Sequence, residues 1–201
     1  LVDSFFSYDS NGEILLEDGE RSLKGEDDLI NAHPDIYEII INNGFDYERL
    51  RCEDSKYKAT LECIRNQQEK YPGSKIVLFS FYRSTIKYLE ERFKEDGIYC
   101  ISMMGGITQN KAEVIDVFKN DLSITILLST EVGAEGLDLQ FCDTEINYDL
   151  PWNPMKLEQR IGRIDRIGQK SEKINIINMY CEDSVEDRVL QKLYERIDIF
   201  E

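Results

Sequence analysis

Three arginines and two glutamines are concentrated in one short segment, LEQRIGRIDRIGQK at residues 157–170. If residues 156–167 form an α-helix, which turns by about 100° per residue, then Gln159, Arg163 and Arg166 share one face. Converging guanidinium groups repel one another and need an anionic partner, and their planar forks suit phosphate oxygens. The spacing therefore predicts a site that binds a phosphate group.

The same helix is predicted to have an apolar face on its opposite side, which packs on a sheet. That face consists of Leu157, Ile161 and Ile164. Arg160 falls sideways between the two faces, and Gly162 lies at the edge of the polar face, where it leaves room for a ligand. The alternative is a solvated helix surface whose arginines pair with nearby carboxylates such as Glu158 and Asp165.

A second polar segment, STEVGAEGLDLQ at residues 129–140, follows an apolar run. Hydroxyl groups, as in Thr130, and free backbone N–H groups suit phosphate oxygens. Gly136 lets the backbone approach a ligand closely, and a carboxylate such as Asp138 suits a ribose hydroxyl. The segment is equally compatible with a tight turn between a strand and a helix, with Asp138 as the cap.

Strand-length apolar runs alternate with helical patterns from about residue 54. Strands are predicted at 75–80, 98–104, 123–130, 144–150 and 173–180. Helices are predicted at 54–71, 84–97 and 110–120, and from about residue 184 onward. Strands buried on both faces and alternating with helices predict an α/β fold with a parallel sheet and helices on both faces. Ligands in such sheets bind beyond the carboxyl ends of the strands.

Residues 1–53 differ from the rest, because they contain clusters of acidic residues and turn formers with weak periodicity. They are interpreted as an irregular acidic arm or a remnant of a linker or preceding domain, and residues 54–201 as the folded lobe. The formal net charge of −16 argues against a broad nucleic-acid-binding face. A local site stays possible, since charges act over about 8 Å in physiological salt.

The cysteines and the hydropathy indicate the compartment. The five cysteines are scattered and form no CxxC pair, which favours reduced thiols in a cytosolic protein over a disulfide framework or a metal site. No apolar run approaches the roughly 20 residues that cross a bilayer, and no secretory signal is visible. We therefore expect a cytoplasmic protein without a membrane partner.

Several segments in a consistent order resemble one family. QRIGRIDRIGQ (159–169) resembles motif VI of superfamily-two helicases, and its RIGQ ending is similar to the Swi/Snf-type ATPases. STEVGAEGLDLQ resembles their motif V, NYDLPWNP (147–154) the stretch between these motifs, and KIVLFSFYRSTIKYLEERF (75–93) motif IV. The likeness covers about residues 54–188, and it is strongest to the bacterial branch that contains the RNA-polymerase-associated ATPase.

The resemblance implies the second RecA-like lobe of a two-lobed motor, a three-layer fold that binds ATP with Mg²⁺ between its lobes. Arg163 and Arg166 match the arginine fingers, and Gln159 matches a residue near the γ-phosphate. Asp138 matches a ribose-facing carboxylate, and Gly136 lies beside the nucleotide.

The resemblance also implies the partners. Ser80 and Thr130 match positions on the nucleic-acid backbone side, and Arg83 could reach the same strand. Double-stranded DNA, the N-terminal RecA-like lobe and RNA polymerase are the expected partners, with a nucleoid-associated location if the source is bacterial. Arg160 and Gly162 replace the Ala and Asp common in Swi/Snf proteins. Asp138 and Lys111 also depart from the usual Asn and Arg, which leaves DNA or RNA preference open.

The chain contains no GxxxxGK[ST] phosphate loop and no acidic DExx motif. These groups hold the phosphates and Mg²⁺ in such motors, so this chain alone is not expected to hydrolyse ATP. Two alternatives to a translocase lobe stay open. One is the lobe of a strand-separating RNA or DNA helicase, and the other is a non-enzymatic protein-docking module of a degenerate motor.

Overall fold

The computed structural model contains one parallel sheet of five short strands. The structure describes residues 47–105, 110–151 and 153–182 and the single positions Asp187, Leu190 and Gln191. The strands are β1 (Ile76–Phe79), β2 (Cys100–Met103), β3 (Ile126–Ser129), β4 (Thr144–Asn147) and β5 (Asn175–Asn178). Their order in the sheet is β2-β3-β1-β4-β5, and all neighbouring strands are parallel. The five predicted strands and the parallel sheet are thus confirmed.

Six helices connect or precede these strands in the described residues. They are α1 (Tyr47–Glu53), α2 (Ser55–Lys70), α3 (Arg83–Glu95), α4 (Lys111–Asn120), α5 (Glu131–Ala134) and α6 (Pro154–Ile164). The central strands β1 and β3 are buried along their whole length. This burial explains why their sequences are apolar without alternation.

Successive residues of each strand face opposite sides of the sheet and belong to two separate cores. Leu78 of β1 packs on one side with Ile64 of α2 and Leu89 of α3. Phe79 packs on the other side with Phe118 of α4 and Ile164 of α6. The prediction of helices on both faces is therefore confirmed.

The two ends of the chain are described only in part. Residues 1–46, most of the predicted acidic arm, lie outside the described residues, and 47–53 form α1. Arg92 of α3 donates to the backbone carbonyl of Arg51 in α1 (2.9 Å). Of the helix predicted from residue 184, only Asp187, Leu190 and Gln191 are described, and they are helical. No helix among the described residues has the length and apolar character to cross a membrane.

Candidate functional site

The polar side chains predicted from sequence lie at the carboxyl edge of the sheet, where the parallel strands end together. Ser80 follows β1 and Thr130 follows β3. Backbone bonds hold these ends in register, as Ser80 N donates to Ser129 O (3.1 Å) and Thr130 N donates to Met103 O (3.2 Å). The loops after β1, β2 and β3 therefore share one edge, as expected for a ligand site in such a sheet.

Two residues predicted on the nucleic-acid side have buried hydroxyl groups that already bond within the protein. Ser80 Oγ donates to the carboxylate of Asp149 after β4. Thr130 Oγ1 accepts from the backbone N–H groups of Gly133 (3.1 Å) and Gly105 (3.2 Å). Both side chains hold neighbouring loops together, and a direct contact with nucleic acid would require an exchange of these bonds.

Arg83, the third residue predicted on that side, begins α3. Its guanidinium donates to the carbonyl of Gly105 beyond β2. Thr130 and Arg83 are thus both hydrogen-bonded to Gly105, in the loop after β2. These three predicted residues lie on adjacent loops, and their nucleic-acid contacts stay a prediction.

The segment 129–140 forms the short helix α5 and an extended loop. Thr130 caps this helix, so the tight turn considered from sequence is present but its cap is not Asp138. Gly133 is required by close packing, since a Cβ there would lie 2.4 Å from Met103 O. Gly136 has a φ of +77° and is exposed. Lys111 Nζ donates to the carbonyls of Val132 (3.0 Å) and Glu135 (3.3 Å) at the end of α5.

Helix α6 is shorter than predicted, and this corrects the position of Arg166. Asn153 caps the helix by accepting from Met155 N (3.1 Å). Asp165 leaves helical geometry with φ −81° and ψ 86°. The carbonyl of Ile164 is instead satisfied by Gln169 Nε2 (3.2 Å). The expectation of a helix through 167 was therefore wrong, and Arg166 lies in the following turn rather than on the face of Gln159 and Arg163.

A pocket of about 180 Å³ opens between α5 and α6. Its lining consists of Phe79, Glu131, Val132, Glu135, Lys156, Gln159, Arg160 and Arg163. The structure thus brings Gln159 and Arg163 together, and their donors suit a phosphate group. Lys156 Nζ lies 3.3 Å from Glu131 Oε2, which offsets part of the negative charge of the pocket wall.

Asp138 and Arg166 form a separate pair beside this pocket. Arg166 Nη1 lies 3.7 Å from Asp138 Oδ1. The segment of Asp138 is held against the end of α6, because Leu139 N donates to Arg163 O (3.1 Å). The two predicted nucleotide contacts therefore neighbour the pocket without lining it.

Arg160 corrects a further expectation, because it is buried rather than directed sideways. Only 2% of the residue is exposed. Its Nη1 donates to Asn147 Oδ1 (2.8 Å) and to the carbonyl of Asp149 (3.0 Å). Its Nε donates to Glu131 Oε1 (3.1 Å). Sequence periodicity missed this role, although Glu145 and Asn147, two polar residues on one face of a predicted strand, are a signal for a buried polar partner.

Glu145 of β4 lies in the same buried group. Its Oε1 accepts from Asn147 Nδ2 (2.9 Å), while its Oε2 is buried without a hydrogen-bond partner. Burial raises the pKa of the Glu145 carboxyl to about 7, against the opposing effects of the Asn147 bond and the Arg160 charge. The residue therefore changes its charge near neutral pH.

The chain matches the family model of the helicase conserved C-terminal domain at residues 55–168. It is 45% identical over 150 residues to YqhH, described as an uncharacterized ATP-dependent helicase of Bacillus subtilis (strain 168), covering 74% of this chain and 26% of that protein. It is 34% identical over 145 residues to the RNA polymerase-associated protein RapA of Yersinia pestis (strain Pestoides F), covering 70% of this chain and 15% of RapA.

A third relative is from Arabidopsis thaliana, a putative SWI/SNF-related matrix-associated actin-dependent regulator of chromatin, subfamily A member 3-like 1. The identity is 32% over 175 residues, covering 85% of this chain and 20% of that protein. The chain thus spans about a quarter or less of the length of the curated relatives that it matches.

Solved structures agree with the fold. The C-terminal part of the Fun30 ATPase domain has a TM-score of 0.60 at 23% identity, covering 67% of this chain and 44% of that one. The Hef helicase domain of Pyrococcus furiosus has a TM-score of 0.56 at 27% identity, covering 68% and 28%. Domain 2 of the DEAD-box helicase Mss116p, solved bound to an RNA duplex, has a TM-score of 0.55 at 26% identity, covering 71% and 55%. From the family match, the chain belongs to the helicase conserved C-terminal domain family.

Proposed function

We propose that this chain acts as the second lobe of an ATP-dependent translocase of Swi/Snf type that moves on double-stranded DNA. The observation that carries the proposal is the pocket between α5 and α6, where Gln159 and Arg163 converge at the carboxyl edge of the sheet. ATP with Mg²⁺ would bind between this edge and an N-terminal RecA-like lobe. That lobe would supply the phosphate loop and the acidic metal motif.

Arg163 and Arg166 act as arginine fingers in this proposal, and Gln159 lies near the γ-phosphate. A guanidinium stabilises the charge that spreads over the transferred phosphoryl oxygens, and such a finger contributes about 10³ to 10⁵ in rate. Arg163 lines the pocket from α6, and Arg166 lies in the turn that follows, paired with Asp138. Their separation along two elements would let them contact different oxygens of one phosphate.

Asp138 and Gly136 belong to the nucleotide side of the proposal. The carboxylate of Asp138 is exposed and can accept from a ribose hydroxyl. Because Gly136 has a positive φ and no side chain, the backbone beside Asp138 can lie close to the nucleotide.

Ser80, Arg83 and Thr130 form the nucleic-acid side. They hold the loops after β1, β2 and β3, so a change in the distance between the lobes would move these loops together. Closing and opening of the lobes on ATP would then shift the grip along one strand of DNA. The proposed contact with DNA involves only this small part of the surface, so it is compatible with the net negative charge of the chain.

ATP turnover tests the proposal directly. The isolated chain, the full-length protein that contains it, and the full-length protein with double-stranded DNA are compared at equal concentration. We expect no turnover above background for the isolated chain and DNA-stimulated turnover for the full-length protein. Turnover by the isolated chain, or a full-length protein that is inactive with every nucleic acid, would contradict it.

A strand-separating helicase is the second candidate, favoured by the likeness to Mss116p domain 2 and to the Hef helicase domain. A strand-displacement assay on the full-length protein discriminates, because Swi/Snf-type motors translocate without separating strands. The likeness to RapA supports RNA polymerase as a partner. Binding of the full-length protein to purified RNA polymerase tests that partner, and binding without any ATPase would favour a docking module.

A further inference from the structure

Arg160 has the largest fully buried side chain among the described residues. A buried guanidinium is costly unless several groups compensate it, because both desolvation and unpaired donors oppose burial. Here the compensation comes from three separate segments of the chain. They are α5 through Glu131, β4 through Asn147, and the loop after β4 through the carbonyl of Asp149.

The ion pair with Glu131 and two aromatic rings complete this environment. Arg160 Nη2 lies 3.0 Å from Glu131 Oε1. The guanidinium carbon lies 5.3 Å from the centre of the Phe79 ring and 5.0 Å from that of the Phe81 ring. Contacts from β4, from α5 and from Phe79 and Phe81 at the end of β1 thus fix the position of the Arg160 guanidinium.

Arg160 is also placed between the two nucleotide-facing residues of α6. Gln159 is its direct neighbour, and Arg163 follows three residues later, less than one helical turn away. Any rotation or shift of α6 that disturbs the bonds of Arg160 must therefore displace Gln159 and Arg163 as well. Conversely, the buried bonds hold the side chains of Gln159 and Arg163 at the pocket.

We infer that Arg160 is a positioning residue for the arginine finger Arg163. Its buried bonds to Glu131, Asn147 and Asp149 fix the rotation and height of α6 against α5 and β4. This inference rests on the proposed function, because it takes Arg163 to act on the γ-phosphate. It assigns Arg160 no contact with the nucleotide.

Lysine cannot replace Arg160 in this role. The guanidinium donates from Nε to Glu131 and from Nη1 to Asn147 and Asp149, while its buried Nη2 is near Glu131 without a hydrogen bond. An ammonium, by contrast, is a single point on a flexible stem. Arg160→Lys keeps the charge and most of the volume but loses the fork. Glu131→Gln keeps one acceptor oxygen for Arg160, removes the charge and replaces the other oxygen by an NH2 group, so it serves as a second, milder variant.

The test is a set of ATPase measurements on the full-length protein with saturating double-stranded DNA. The variants are Arg160→Lys, Glu131→Gln, Arg163→Ala and the double variant Arg160→Lys/Arg163→Ala. Arg65→Ala is the matched control, because Arg65 is an exposed arginine of α2, which packs on the face of the sheet opposite to α6. Thermal melting of each variant gives its folded fraction, to which turnover is normalised.

We expect Arg160→Lys to lower kcat by about 10²-fold, since small misplacements of a catalytic group have effects of that size. The KM for ATP should change less than about threefold, because the finger acts mainly in the transition state. Glu131→Gln should also lower kcat, but by a smaller factor. The kcat of Arg65→Ala should equal that of the wild type. The double variant should be no slower than Arg163→Ala alone.

If the fold loss of kcat in the double variant equals the product of the losses in the two single variants, the two arginines act independently, and the positioning role is wrong. Wild-type turnover of both Arg160→Lys and Glu131→Gln also overturns it. Near-full turnover of Arg163→Ala would show that Arg163 is not an arginine finger. That result overturns the proposed role of Arg163 and, with it, this inference.

Discussion

Arg166 and Asp138 face each other across an exposed gap, with Nη1 of Arg166 3.7 Å from Oδ1 of Asp138 and 53% and 54% of the two side chains exposed. An exposed pair of this kind contributes at most about 1 kcal/mol to stability. It can therefore open at little cost. In the proposed two-lobed motor, both side chains would thus be available to the nucleotide.

The ribose role of Asp138 is tested by Asp138→Ala in the full-length protein. A hydrogen bond to a carboxylate is worth about 1.5–3 kcal/mol, so the KM for ATP should rise at least about tenfold. At least one of 2′-deoxyATP and 3′-deoxyATP should be used equally well by the variant and the wild type, because it lacks the hydroxyl that Asp138 accepts from. Equal losses for ATP and both deoxy analogues would contradict the role. The melting temperature of the chain should stay nearly unchanged.

Gly162 offers a test of the space that is predicted beside Arg163. A Cβ at Gly162 would meet no atom within 4 Å, and alanine is about 1 kcal/mol more favourable than glycine inside a helix. We expect Gly162→Ala to raise the melting temperature of the chain while raising the KM for ATP in the full-length protein. An unchanged KM would show that the nucleotide does not use this space.

Gly133→Ala is the contrasting variant, because its Cβ would lie 2.4 Å from Met103 O and 3.0 Å from Ser129 Oγ. Forcing α5 away from the end of β2 should lower the free energy of unfolding by about 1–3 kcal/mol, as overpacking of cores commonly does. Urea denaturation of the chain measures this loss. A variant as stable as the wild type would mean that α5 shifts freely.

The raised pKa of Glu145 predicts that the stability of the chain depends on pH. Its pKa is raised from 4.5 to about 7 in the folded protein, so the protonated carboxyl is favoured by folding. This contribution is fully present below about pH 4.5 and is lost as the pH rises through about 7, a change on the order of 3 kcal/mol. Glu145→Gln, which cannot ionise, should therefore be more stable than the wild type at pH 8 and similar to it at pH 4.5.

Unfolding of both proteins in urea at these two pH values provides the measurement. A variant that gains no stability relative to the wild type between pH 4.5 and pH 8 would contradict the raised pKa. A constant difference between the two proteins at both pH values would point to a packing effect of the amide.

The order and type of the elements were predictable because burial on both faces of a parallel sheet leaves continuous apolar runs. Val77 and Leu78 illustrate this, since they are neighbours in β1 yet belong to opposite cores. The strands proved shorter than the runs, and residues at the ends such as Lys75 and Ser80 use their side chains to bond adjacent loops.

The positions of Arg160 and Arg166 were not predictable from periodicity. A helical pattern places charged residues toward solvent, but Arg160 finds Glu131, Asn147 and Asp149 only after the chain has folded. The end of α6 likewise depends on Gln169, whose side chain donates to the carbonyls of Ile164 and Cys142. Both outcomes depend on contacts between distant segments, which local spacing does not contain.

The central claim is that this lobe completes an ATPase site with an arginine finger, and Arg163→Ala in the full-length protein tests it most directly. DNA-stimulated ATP turnover is measured at saturating ATP, with Arg65→Ala as the control. We predict a loss of kcat of about 10³-fold or more for Arg163→Ala, and wild-type turnover for the control. Turnover of Arg163→Ala within a fewfold of the wild type would contradict the account.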